Sequence, residues 1–135
     1  MPVTATAIRT SIAFSGGSEV LGLEYELGRL HIKLRALKND QHVTVTFKEC
    51  AAFRVMDERD LAEYWPACSS HNGWIFEVQG GGWLSQELER PASLVAHMNA
   101  GLREYLIAGT DDCVSVLAVG SPKITSLQAS AASEA

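Results

Sequence analysis

Apolar and polar residues alternate with a period of two through much of the first half of the chain. Leu21, Leu23, Tyr25 and Leu27 alternate with Gly22, Glu24 and Glu26, and Leu30, Ile32 and Leu34 alternate with His31, Lys33 and Arg35. Only Gly28-Arg29 separates the two runs, so they predict a hairpin with one wet face. After the turn Lys38-Asn39-Asp40-Gln41, Val43, Val45 and Phe47 alternate with Thr44, Thr46 and Lys48. The phase breaks at Glu49-Cys50 and resumes at Phe53 and Val55, as a bulge or a bend between sheets would require. Three consecutive antiparallel strands make a meander.

Further on, MDERDLAEYWP predicts a short helix capped by Asp57, with acids in its first turn and Pro66 as its stop. Leu61, Tyr64 and Trp65 share its apolar face. Trp74, Phe76 and Val78 alternate with Ile75, Glu77 and Gln79, which predicts a strand buried mostly on one side. Leu94, His97 and Met98 keep helical spacing within Pro91–Ala100. Arg103–Ala108 and Cys113–Val119 flank the turn 109–112 as a second hairpin, its latter strand apolar enough to be central. The expected fold is therefore α+β and mostly antiparallel: a meander or sandwich-like sheet of about six or seven strands with one or two short helices. Residues 1–122 form a single expected domain. The stretch 123–135, small and polar, is expected to be a disordered tail.

Composition leaves this picture intact. At 135 residues, 47% of them hydrophobic, the chain can bury one domain core. No apolar run approaches the roughly 20 residues of a membrane span, and the start carries no secretory pattern. Three cysteines, Cys50, Cys68 and Cys113, are odd in number, so no disulfide framework is expected and a reducing cytoplasm fits. Charge is more informative. The net charge is −5, yet residues 49–112 hold eleven acids against four arginines, a local −7. Such a middle disfavours nucleic acid, whose affinity rests on phosphate contacts, and suits a basic partner or simply a solvated surface.

Candidate chemistry is sparse. The run Gly80-Gly81-Gly82 is followed by Trp83, Leu84 and Ser85 where a phosphate loop needs Lys and Ser or Thr, so a hairpin corner or bulge is expected. Cys68 and His71 form one CxxH pair, but structural zinc needs two such pairs; no metal or cofactor is expected. Cys50 and Cys113 sit where core residues belong. Asp111-Asp112 has a sufficient explanation as a turn. An enzyme or ligand-binding module using Cys68, His71 and nearby carboxylates remains the alternative.

Four segments, AFRVMDE at 52–58, GWIFEV at 73–78, GGWLSQE at 81–87 and YLIAGTDDCVSVL at 105–117, resemble small bacterial immunity proteins. These are the antidotes of contact-dependent growth inhibition and related polymorphic toxin systems. The similarity spans roughly residues 20–120. It implies a cytoplasmic, non-enzymatic toxin inhibitor that binds one cognate toxin domain, commonly a basic nuclease. The acids expected to face that partner are Asp57, Glu58, Asp60 and Glu63 on the short helix, and Glu77, Glu87 and Glu89 around the glycines. Trp65 and Trp83 are the expected aromatic anchors; Trp74, in strand phase, is expected in the core.

Overall fold

A computed structural model describes residues 2–12, 14 and 17–127. Among these residues nine strands build two antiparallel sheets, joined in the order β1-β6-β7-β8-β5 and β2-β3-β4-β9. The strands are β1 (Thr4–Ala7), β2 (Ser18–Glu26), β3 (Arg29–Ala36), β4 (His42–Phe47), β5 (Glu49–Asp57), β6 (Ile75–Gly80), β7 (Leu102–Ile107), β8 (Asp112–Val119) and β9 (Lys123–Leu127). A 3₁₀ turn, Glu58–Asp60, follows β5, and two short helices, α1 (Trp83–Glu89) and α2 (Leu94–Met98), lie between β6 and β7. The mostly antiparallel α+β class holds.

The sheets face each other. Leu30, Ile32 and Leu34 of β3 and Val43, Val45 and Phe47 of β4 share a buried cluster with Ile75, Tyr105, Ile107, Val114 and Val116 of the first sheet. Period-two patterning created that inner face. The phase break at Glu49 is where the chain leaves one sheet for the other: β4 belongs to the second sheet and β5 to the first, with a register shift between Cys50 and Ala52. Both expected causes, bend and bulge, act there.

Several expectations need correction. A register shift between Val20 and Gly22 puts Leu21 out of phase with Leu23, leaving Leu21 half exposed while Val20 and Leu23 lean on the core. Tyr25 keeps the phase of Leu23 and lies half exposed against Phe53. Leu27 belongs to the turn: it and Gly28 both have positive φ, 50° and 84°, the pair of values a tight hairpin turn requires. Val55 is exposed because β5 is an edge strand. Strand β6 is buried on both sides, with Ile75 in the inter-sheet core and Phe76 and Val78 in a second cluster on the outer face. The stretch 123–127, expected to belong to a disordered tail, forms a strand instead. Residues Lys123–Leu127 pair with β4, and half-buried Ile124 packs on the core; 128–135 lie outside the described residues.

The outer face of the first sheet is covered by the segment 58–68 and by α1 and α2. Here the glycine run departs from expectation, because it joins a strand to a helix. Gly81 has a φ of 76°, and a β-carbon there would run into the Pro2 carbonyl. At Gly82 a β-carbon would lie 2.7 Å from Glu104 Oε1 and 2.9 Å from the Tyr64 hydroxyl. Gly81 and Gly82 are there because no side chain fits.

This distinction is testable by chemical denaturation of two alanine variants. Gly80→Ala would meet only Thr4 Oγ1 at 3.5 Å, and its midpoint should stay close to that of the parent. Gly81→Ala should cost more than about 1 kcal/mol, since a positive φ and a backbone collision combine. Equal midpoints would mean that the Pro2–Val3 backbone does not lie against Gly81.

Candidate partner-binding surface

Asp57 ends β5 and caps a three-residue 3₁₀ turn where a helix reaching Pro66 was expected, its Oδ1 accepting from the Arg59 amide at 2.8 Å. The same carboxylate takes the Arg59 guanidinium in a two-pronged pair, at 2.9 and 2.8 Å. Those contacts with Arg59 hold the Asp57 carboxyl down to about 2 from its ordinary 3.8. Register then adds two acids that the turn interpretation had set aside. Asp57 lies opposite Asp112 across the β5–β8 pairing, and the Glu58 amide donates to the Asp111 carbonyl at 2.8 Å. Asp57, Glu58, Asp60, Asp111 and Asp112 thus gather at one end of the sheet, with Arg59 as the cation among them. Glu63 is exposed on the following segment and, with Glu58 and Asp60, makes no ion pair among the described residues.

The second expected group is different. Glu87 is paired with Arg90 at 2.8 Å and accepts from Ser93 Oγ at 2.9 Å, and these bonds lower its carboxyl below the ordinary range. Glu77 stands 3.5 Å from Arg103. Glu89 alone is exposed without an ion pair among the described residues. Trp83 is half buried, and the Arg54 guanidinium lies 4.6 Å from its ring centroid. This group is electrostatically compensated from within. Trp65 is also half buried, its indole N–H donating to the Glu58 carbonyl at 2.9 Å. Trp74 is in the core as expected, 6% exposed, with its N–H on the Ile12 carbonyl.

Between the two groups lies a buried polar junction that the sequence did not announce. The Tyr64 hydroxyl donates to Glu104 Oε2 at 2.7 Å and accepts from the Trp83 amide at 3.0 Å, while Glu104 Oε1 accepts from the Leu84 amide at 2.9 Å. Burial, reinforced by the neighbouring Glu104 charge, pushes the Tyr64 phenol well above its ordinary value, so it stays protonated and donates. The first amides of α1 are therefore occupied by the protein's own side chains, which removes the phosphate-loop alternative on geometry as well as on sequence.

Cys68 and His71 both line an open cavity of about 710 Å³ between the segment 65–74 and the second hairpin turn. No hydrogen bond joins them among the described residues. Cys68 is fully buried, and burial pushes its thiol up to about 12; Cys50 and Cys113 are likewise pushed to about 11. All three are free thiols rather than thiolates at neutral pH. Among the described residues, no three His, Cys, Asp or Glu side chains converge as a metal site would need, and no helix is long and apolar enough to cross a membrane. Comparison with protein-family models, curated proteins and solved structures finds no match.

Two measurements check this electrostatic picture. The native protein should resist thiol reagents at pH 8, all three cysteines reacting only on unfolding; rapid labelling of Cys68 would restore it as a nucleophile. The Asp57 carboxyl should titrate near 2 by NMR and return toward 3.8 in Arg59→Ala. Because its native value is depressed, the stabilisation from this pair is fully present above the ordinary value and disappears as pH falls through about 2.

Proposed function

We propose that the chain is an immunity-type inhibitor, a cytoplasmic and non-catalytic protein that binds a basic toxin domain and blocks it. One observation carries the reading: five carboxylates gather at one end of the first sheet, and among the described residues Arg59 is the one cation ion-paired with any of them. Like charges crowded on a folded surface repel one another, and an approaching cationic protein relieves that repulsion. The resemblance noted in the sequence points to the same class of partner. Glu77, Glu87 and Asp57 are each paired with an arginine of the chain. The partner-facing set is therefore Glu58, Asp60 and Glu63, joined by Asp111 and Asp112, with Glu89 the one acid of the second group left without an ion pair among the described residues. The competing reading, a small enzyme or ligand module at Cys68 and His71, has the shared cavity in its favour and a protonated, buried thiol against it.

Co-purification with the product of the adjacent reading frame tests the partner. Asp60→Lys with Glu63→Lys, both exposed, should leave the melting temperature nearly unchanged, because exposed charges contribute little. The same pair should slow association with a basic toxin by about tenfold at low salt, and the difference should shrink as salt rises. Equal association rates at low salt would place the interface elsewhere.

A further inference from the structure

The 710 Å³ cavity opens beside the acidic end, and its lining selects the charge of an occupant. Glu58 lines it, and Thr110, adjacent to Asp111, lines the opposite side. No lysine or arginine is among the lining residues; Glu58 is the one carboxylate there and His71 the one residue able to carry a positive charge, so a neutral His71 leaves the lining net acidic. Trp65 and Trp74 supply aromatic surface, and the N–H of each is already spent on a backbone carbonyl, leaving the π-systems. Ser18 also lines the cavity. It is 3% exposed, and its hydroxyl is buried without a hydrogen-bond partner among the described residues. A buried hydroxyl left unpaired is costly, and an incoming N–H donor would remove that cost.

We infer that this cavity is a socket for one arginine side chain of the protein partner, the guanidinium stacking on indole and donating to Glu58 and Ser18. This rests on the inhibitor reading above, and it assigns that surface an anchor as well as a field. Arginine suits the site better than lysine. Its planar, weakly hydrated group stacks on an aromatic ring and donates in several directions at once, whereas an ammonium is a compact, strongly hydrated point charge. The volume is within the range of about 300–1,000 Å³ typical of small-ligand sites, so a single long side chain enters with room for water.

The test titrates the isotope-labelled full chain with N-acetyl-arginine amide and follows the tryptophan indole signals. Those of Trp65 and Trp74 should shift and saturate in roughly the millimolar range, as expected for one unlinked side chain. The citrulline analogue, neutral and of equal size, should leave them in place. Glu58→Gln should weaken the arginine probe about tenfold, the loss of one charge-assisted hydrogen bond. Ser18→Ala should weaken it while leaving the melting temperature at or above that of the parent, since it removes an unpaired polar group. Glu89→Gln should change nothing. Equal shifts with citrulline, or indole signals unmoved by the arginine probe, would overturn the socket. With a toxin in hand, the socket variants should speed dissociation, whereas the Asp60 and Glu63 changes should act on association. A toxin that binds with dissociation unaltered by Glu58→Gln and Ser18→Ala would overturn the socket and leave the basic-partner reading standing. Probe binding with no basic partner would uphold the socket and overturn the inhibitor reading.

Discussion

The carboxyl of Glu104 is the point at which three separate parts of the chain are tied together. It projects from β7, takes the Tyr64 hydroxyl from the segment that follows β5, and takes the Leu84 amide at the start of α1. At 1% exposure it has no recourse to water, so every one of those bonds matters. Removing one partner from a buried charged network typically costs about 3–5 kcal/mol, a large share of a small domain's stability. The outer layer is consequently pinned to the sheet at a polar point, with apolar clusters on either side of it. Gly82 follows from that arrangement, because the carboxyl and the phenol occupy the space a side chain would need.

Legibility in the sequence follows from how local each cause is. Strands β3, β4, β7 and β8 announce themselves because alternating burial is written directly into successive residues. Strand β2 was legible as a strand and misread in phase, since a bulge adds one residue without changing composition. Strand β9 was missed because its polar residues suit a solvated edge as well as a loose tail; only its pairing with β4 reveals it. Helix α1 was missed for a deeper reason. Its N-cap is a glycine with no side chain to signal a start, and its first amides are capped by Tyr64 and Glu104, 19 and 20 residues away. A helix capped through tertiary structure leaves no local mark.

The same division runs through the candidate surface. Asp57, Glu58, Asp60 and Glu63 are the acids expected to face a partner, and all but Asp57 lack an ion pair among the described residues. Glu77 and Glu87 looked equivalent on paper, yet Arg103 and Arg90 satisfy them. Asp111 and Asp112 were explained by their turn, and that explanation was true without being complete. Their second role depends on the register that sets Asp112 beside Asp57. Charge counted along a chain says how much is present; only pairing says how much is left over.

The register between β5 and β8 also dictates when the acidic end comes into being. Glu58 and Asp111 are joined by a backbone hydrogen bond across some fifty residues of intervening chain. The β2–β3–β4 meander and the β7–β8 hairpin pair strands adjacent in sequence, whereas this junction needs β5 to reach a strand far along the chain. Contacts that distant in sequence are entropically late. A nascent chain halted before the second hairpin would carry Asp57 to Glu63 on an unpaired strand end, without the opposing turn that gathers the charge. The surface is therefore a product of completed folding, and its electrostatic signature reports the native topology as directly as any core contact does.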